Sequence, residues 1–571
     1  MRHGGYHSTN FLELMAELDR GGADGEAPPL AIRSAPPARS DGGHAYRWLA
    51  RPPEPDEMFT GFGRATHEQR EDTLRALSQL AQMMRNVGID QSAEWSNPNI
   101  PAGYTYLGQF IAHDMVDTRP VTASGDGPAA QNDRRRVLCL ESIYGDGPDA
   151  CPWLYEPEEH ADDPRVRLRL GRTVNDRIVP VVDPPLAFDD IARADSRQIV
   201  GGASGYRHTC DPLIGDSRNE DNLILSQLVV TIHKVHNRLI DLLSDLDPIS
   251  STSRQDRRRQ LRRHFQIARH LTTQAYRNVV IHDFIPKFIA ADLWDSHYGD
   301  YLNAIEDPES HETACRNLSG KEAIPLEFTM AAFRFGHVMV RTLYNFNGSH
   351  RKDDARLQDL MEFSGLDGDI KRLPLIYHWV IDWQKFFFDP ATVPSPNYAS
   401  EHNFSRRIRP AVSATLADEE RMQSEDQNEG GLLYRTLARG YVLSLWNGQR
   451  LAECLGIQDQ IQSGAVAKLL RDYSKLAGTR ALSDNVITML ANDTPLFLYI
   501  IAEAMIRERG ERLGPLGQKI VATVLFEQLI LSHEFMSDDI ASNLSLIDEI
   551  GPNDQWTMEN FIKFSGHGMT A

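Results

Sequence analysis

Three short polar clusters interrupt otherwise apolar stretches of this chain. The first is Gly108-Gln109-Phe110-Ile111-Ala112-His113-Asp114, where Gln109 and His113 stand four apart and so share one helix face. The second is Gly215-Asp216-Ser217-Arg218-Asn219-Glu220-Asp221, an arginine among carboxylates just before a long apolar pattern. Asn219 or Asp221 reads there as the N-cap of a helix. The third lies in Leu326–Asn345, LEFTMAAFRFGHVMVRTLYN, whose apolar residues recur three or four apart and predict a buried helix. Arg334, His337 and Arg341 follow at spacings of three and four, one stripe of that helix. Gly336 mid-helix costs about 1 kcal/mol against Ala, and one use for that cost is to let a flat body approach the backbone beside His337. An imidazole flanked by a glycine and two guanidinium groups suits an iron macrocycle bearing carboxylates. Taken singly, each cluster has a plainer reading: a polar helix face is usually hydration or a cap, and a lone helical histidine is usually a satisfied core residue.

The elements that must position these clusters are helical. The stretch after Glu68 has helical spacing, and NPNIPAGYTYLGQFIAHDMVDT opens as loop and closes as a short helix around Gly108–Val116. Asp221–Asp245 carries the longest helical signal, with an apolar arc wide enough for the interior. An Arg-rich amphipathic stretch over Arg254–Tyr276 reads as a solvated helix face. Helical patterns return at 432–455, 464–476, 496–508 and 517–532, while alternating strand patterns are nearly absent. The expected fold is mainly α: one large domain over 61–535 with long ordered loops at 118–215 and 387–430. An extended Gly- and Pro-rich arm (1–60) precedes it, and a polar tail (536–571) follows and docks loosely.

Composition narrows the function classes. The 571 residues are 41% apolar and 25% charged, as in a soluble globular protein. A net charge of −20 argues against nucleic acid, which demands a basic stripe. Five scattered cysteines without a CxxC support neither a disulfide framework nor a zinc ribbon. The start shows no apolar h-region, and no run of 18 apolar residues marks a transmembrane helix. The expectation is a cytoplasmic location or export by a signal-independent route.

In this order, GQFIAHD, GDSRNEDN running into a helix that ends HNRL, and AAFRFGH resemble the animal-type haem peroxidases of the peroxidase–cyclooxygenase superfamily, most nearly their bacterial members. Leu140–Gly145 (LESIYG), Leu433–Gly440 (LYRTLARG), Thr494-Pro495-Leu496 and Leu513-Gly514-Pro515 extend the resemblance over roughly residues 60–530. It implies haem b with His337 as the proximal iron ligand, His113 as the distal acid–base and Arg218 as the cation over the cleaving O–O bond. It also implies Gln109 as the distal glutamine and Arg334 as partner of a haem propionate. The implied activity is reduction of hydrogen peroxide and, through a ferryl intermediate, oxidation of small donors such as phenols, anilines or halide. An Asn normally orients the proximal ligand and is to be sought near 411–430. Two other readings stand beside this one. A haem-dependent fatty-acid dioxygenase is opposed by Arg334 in the slot of the radical tyrosine. A haem-binding interaction module with vestigial activity is opposed by the intact Gln109, His113, Arg218 and His337.

The chain also departs from the family pattern. Where mammalian members esterify haem to an aspartate before the distal histidine, this chain has Ala112. The second ester position is Asp221, with Glu220 as a near alternative, so at most one covalent link is expected. Asp114 matches the calcium aspartate, but by register from Tyr144 its companion positions are Arg135, Cys139 and Glu141. A hard cation wants oxygen ligands, so calcium is doubtful, and an arginine there is expected to pair with Asp114 in place of the ion. His233 and His236, spaced like a metal pair, read as residues of the long helix's core or its surface, and Tyr377-His378-Trp379 as unrelated to the site.

Overall fold

The computed structural model describes residues 44–60, 65–85, 93–122, 128–158, 164–173, 188–199, 206–249, 253–348, 355–364, 373–388, 402–418, 431–535 and 556–568. The architecture is mainly α, as expected. Its longer helices are α1 (His67–Met84), α2 (Gly103–Met115), α3 (Leu223–Leu246), α4 (Arg254–Asn278), α5 (Ala291–Ala304) and α6 (Pro308–Asn317). The second half adds α7 (Gly431–Val442), α8 (Gly448–Cys454), α9 (Ser463–Ala477), α10 (Asp484–Asn492), α11 (Leu496–Glu508), α12 (Pro515–Leu531) and α13 (Met558–Ser565). Strands are short and antiparallel: β1 (His44–Ala45), β4 (Pro128–Asn132) and β3 (Thr118–Thr122) form one sheet in that order, and β2 (Ser96–Pro101) pairs with Phe404–Arg406. The expected loop 118–215 therefore holds ordered hairpins, the longest pairing Arg193–Ile199 with Tyr206–Pro212.

Two helices dominate the interior. In α2 the side chains Tyr104, Tyr106, Leu107, Phe110, Ile111 and Met115 are all buried, and no side chain caps its start. Packing, rather than intrinsic propensity, must hold a helix this short. Gly103 opens it because a Cβ there would lie 2.7 Å from the Phe386 carbonyl oxygen. The neighbouring α3 is buried along most of its length and is capped by Asn222, whose side-chain oxygen accepts from the Leu225 N–H at 3.0 Å. The expected caps Asn219 and Asp221 lie instead in a 3-10 turn over Ser217–Glu220 and at its end. α4 turns its apolar stripe (Leu261, Phe265, Ala268, Leu271, Ala275) inward and leaves Arg254, Arg259 and Arg262 exposed. It runs into a π-helical segment, Val279–Phe284.

The stretch expected to be one helix over 326–345 is not. An α-helical turn (Leu326–Met330) breaks at Ala331, whose ψ of −68° comes with a φ of −134°. A 3-10 helix then covers Ala332–Met339, and Val340 is extended. The break frees the Thr329 carbonyl, and the Arg334 Nε–H donates to it at 2.9 Å. Arg341 lies beyond the helix and bonds the carbonyls of Leu343 and Phe404 instead, so it leaves the expected stripe.

Both ends of the chain pack more closely than expected. Residues 1–43 of the arm lie outside the described residues, but Tyr46 and Phe59 are in the core. The Arg47 N–H donates to the Ile324 carbonyl, and the Arg47 carbonyl accepts from the Leu326 N–H. Residues 536–555 of the tail are likewise outside, whereas α13 lies on α3 with Met558, Phe561 and Ile562 buried. His567 bonds Gln227 at 3.0 Å, and the Gly568 carbonyl accepts from the Trp383 N–H.

Candidate active site

Within the buried helix α2, the partly exposed residues before its end are Gly108, Gln109, Ala112 and His113. Positions i, i+1, i+4 and i+5 form one stripe, so this helix turns a single strip of small and polar residues toward accessible space. On the 3-10 helix the partly exposed residues are Arg334, Gly336 and His337. That helix turns once every three residues, which aligns Arg334 with His337. A Cβ added to Gly336 would meet nothing within 4 Å. The two elements pack against each other. Phe284 also joins them: it stands 3.3 Å from where a Gly108 Cβ would be, and its ring meets Phe333 edge-on at 6.2 Å. The elements that carry His113 and His337 are therefore neighbours in the fold.

The wall carrying His113 is a closed network. His113 Nδ1 lies 2.9 Å from Asn219 Oδ1, and its Nε2 bonds none of the described residues. The His113 carbonyl accepts from Arg134 Nε at 2.8 Å and from Arg218 Nη2 at 3.2 Å. Asp216 bonds both guanidinium groups, that of Arg218 at 2.6 Å. Burial would raise the Asp216 carboxyl, but the fields of Arg218 and Arg134 outweigh it and hold the group well below the usual range. Arg218 is raised correspondingly, its burial offset by Asp216. Burial, followed by the Arg218 field, lowers His113 to about 4, so the imidazole is neutral at pH 7. Gln109 Oε1 accepts from Asn222 Nδ2 at 3.2 Å, which ties the glutamine to the start of α3.

The opposite wall is less complete. Burial, then Arg334 and Arg439, lowers His337 to about 3, leaving a neutral imidazole whose Nδ1 is buried without a hydrogen-bond partner among the described residues. The sought Asn is not found in 411–418, and 419–430 lie outside the described residues. Arg334 is lowered to about 10 by burial, with Tyr46 opposing, and Arg439 to about 9 by burial and then by Arg334. Two guanidinium groups, Arg334 and Arg439, thus act on His337. A neutral imidazole able to ligate metal, beside a desolvated pair of guanidinium groups, fits an iron porphyrin with its carboxylates.

Other expected residues divide. Asp221 is exposed beside Arg218, whereas the alternative Glu220 is fully buried and paired with Arg193. The expected pairing of an arginine with Asp114 is not observed. Asp114 accepts from the Leu140 N–H at 3.0 Å, the Ser142 N–H at 3.2 Å and the Ser142 hydroxyl at 2.9 Å. Arg135 binds Asp146, Cys139 takes an N–H from Arg277, and Glu141 accepts the Arg136 N–H. His233 and His236 are core residues: His236 bonds the Tyr144 hydroxyl and the Val166 carbonyl, and His233 the Arg169 carbonyl.

The sequence reading missed Asn219 as partner of His113, the clamp of Asp216 with Arg134, and Tyr46. Tyr46 is 1% exposed, its hydroxyl 2.5 Å from Thr118 Oγ1 and within the fields of Arg334, Arg218 and Arg439. Its apolar neighbours Trp48 and Leu49 were the available signal in an otherwise Gly- and Pro-rich arm. Arg439 stood inside a quoted motif without a role.

With this geometry established, comparison with known proteins is informative. The animal haem peroxidase family matches residues 195–371, a span that includes Arg218, Arg334 and His337. Peroxidase mlt-7 of Caenorhabditis elegans is 30% identical over 130 residues, 23% of this chain and 15% of that protein's length. Peroxidase A of Dictyostelium discoideum has a similar fold, with a TM-score of 0.55 at 13% identity over 96% of this chain and 98% of the other. The fatty acid alpha-dioxygenase of Arabidopsis thaliana superposes with a TM-score of 0.52 at 12% identity, over 86% of this chain and 75% of the other. No helix among the described residues is long and apolar enough to cross a membrane. The likeness to the animal haem peroxidase family is thus carried by residues 195–371, and the whole chain is similar in fold to peroxidase A.

Proposed function

We propose that this chain is a haem b peroxidase that reduces hydrogen peroxide and oxidises small electron donors. The observation that supports the reading is two neutral, differently equipped imidazoles on elements that pack against each other. His113 presents an unbonded Nε2 beside the Arg218 cation, and His337 stands among desolvated arginines.

His337 would hold a haem iron and Arg334 and Arg439 would pair with its carboxylates, and haem would supply the two-electron chemistry with peroxide and the one-electron chemistry with donors. The chain's own residues handle protons and charge. His113 accepts a proton from one peroxide oxygen at Nε2 and delivers it to the departing one, which leaves as water. Arg218, fixed in place by Asp216, stabilises the negative charge that develops as the O–O bond breaks. Gln109, held by Asn222, orients water or a small anion on the same face. Phenols, aromatic amines and halide or pseudohalide are the proposed donors. Asp221 is the one proposed site for a covalent ester, since Glu220 is committed to Arg193.

The test is the absorption spectrum of hemin-reconstituted protein before and after addition of peroxide, followed by guaiacol oxidation. A peroxide-dependent spectral change with turnover is expected, and a bound hemin inert to peroxide would sink the proposal. The likeness to a fatty acid alpha-dioxygenase keeps a second reading in view. Oxygen uptake with linoleate in the absence of guaiacol turnover would favour it.

A further inference from the structure

A histidine that shuttles a proton must present a lone pair, and a neutral imidazole has only one. Which nitrogen carries it depends on what the other nitrogen bonds. His113 Nδ1 faces Asn219 Oδ1 at 2.9 Å, and that oxygen can only accept. We propose that Asn219 is a positioning residue that keeps the His113 proton on Nδ1 and so leaves the Nε2 lone pair to receive the proton of peroxide.

Three observations support this. First, Asn219 has almost no freedom to turn away. It is fully buried in the 3-10 turn Ser217–Glu220, and its N–H donates to the Asp216 carbonyl at 3.0 Å. The residues on either side are also held, Arg218 by Asp216 and Glu220 by Arg193. Second, the amide Nδ2 of Asn219 is buried without a partner among the described residues. A leucine of similar size would fill the place with no unbonded donor, so the oxygen is what this position uses. Third, the acceptor is neutral. The charged groups that act on His113 are Arg218, Asp216 and Arg134, and Asp216 already answers both arginines. A carboxylate at 219 would fix the same tautomer while drawing the imidazole toward its charged form, which cannot act as a base. An amide fixes the tautomer without adding charge. The step remains balanced: Nε2 takes the proton from one peroxide oxygen, Nδ1 keeps its own, and the imidazolium returns the Nε2 proton to the oxygen that leaves as water.

This inference rests on the peroxidase reading for its purpose, but its first test does not. Imidazole 15N chemical shifts of the full chain without hemin, labelled at histidine and assigned with His113→Gln, report the tautomer directly at neutral pH. The expected result is a protonated Nδ1 and a bare Nε2, with the proton moving in part to Nε2 in Asn219→Leu and returning to Nδ1 in Asn219→Asp. In hemin-loaded protein, Asn219→Leu should slow the reaction with peroxide at least tenfold, and Asn219→Asp should restore the rate well above neutral pH but shift its acid limb upward. A wild-type His113 protonated at Nε2 overturns the proposal without needing any variant to fold, as does an Asn219→Leu protein with an unchanged tautomer. Failure of the wild type to bind hemin would instead defeat the peroxidase reading and leave the tautomer result standing.

Discussion

On the α2 wall of the site, His113 is bonded at Nδ1, its carbonyl takes two arginine N–H groups, and Asp216 answers both guanidinium groups. On the 3-10 helix, His337 Nδ1 has no hydrogen-bond partner among the described residues, and the Arg334 Nε–H donates to the Thr329 carbonyl. The first wall neutralises itself from within the chain. The second brings positive charges together, and Arg334 and Arg439 are lowered to about 10 and about 9, each chiefly through burial. A buried cation is tolerated when an anion answers it. The two elements differ in how their polar groups are met: around His113 they answer one another within the chain, whereas His337 Nδ1 has no hydrogen-bond partner among the described residues.

Substituting the two histidines should separate the walls most sharply. His337→Ala should weaken hemin binding by more than the roughly 10- to 100-fold typical of losing an outer-shell partner, as read by hemin titration. His113→Ala should leave that titration unchanged and slow the reaction with peroxide by about 10²- to 10⁴-fold, the usual worth of a general acid–base group. Equal hemin loss in both variants would erase the distinction. Arg334→Leu sharpens it further. Removing a desolvated cation should raise the melting temperature of the hemin-free protein while costing about 10- to 100-fold in hemin affinity, the scale of one charge-assisted hydrogen bond. A hemin-free variant that melts lower would mean that Arg334 is already satisfied by the fold.

Acid should act on both walls in one direction. Burial lowers His113 to about 4 and His337 to about 3, against an ordinary value near 6.5. The unfolded chain therefore binds more protons than the folded one between roughly pH 6.5 and those values, so stability falls as the pH drops through that window. Unfolding of the hemin-free protein in urea should show a midpoint that declines from pH 7 to pH 4. The rate of reaction with peroxide, which needs only neutral His113, should hold its plateau until the pH nears 4.

The same division explains how much of the molecule was legible in the sequence. The helices and the members of the α2 wall announce themselves through periodicity and through Gln109 and His113 four apart, because a buried helix writes its packing into local spacing. The break at Ala331 does not, since apolar spacing over 326–339 satisfies a 3-10 helix nearly as well as an α-helix. What ended the α-helix was a tertiary demand, met when Arg334 took up the Thr329 carbonyl. The partner of His113 was hidden for a related reason. Asn219 beside a helix start looks like a cap, and only the fold brings a residue 106 positions away onto the Nδ1 side of the imidazole. Tyr46 and α13 were misjudged because polar, proline-rich or charged surroundings conceal a few apolar anchors that dock at long range.

The smallest effect is expected at Asp114, one residue from His113 and on the far side of α2. The resemblance makes this carboxylate a calcium ligand, but its two oxygens accept from the N–H groups of Leu140 and Ser142 and from the Ser142 hydroxyl. Calcium would compete with those donors for the same lone pairs, and the loop offers Cys139 bound to Arg277 and Glu141 bound to backbone where oxygen ligands would be needed. A chelator should therefore leave the melting temperature and the peroxide rate of the purified protein unchanged. Asp114→Asn should lower stability by about 1–3 kcal/mol, since an amide nitrogen cannot accept what a carboxylate oxygen does and leaves buried donors unbonded. A chelator-induced fall of several degrees, reversed by added calcium, would show that the α2 wall too depends on something outside the chain.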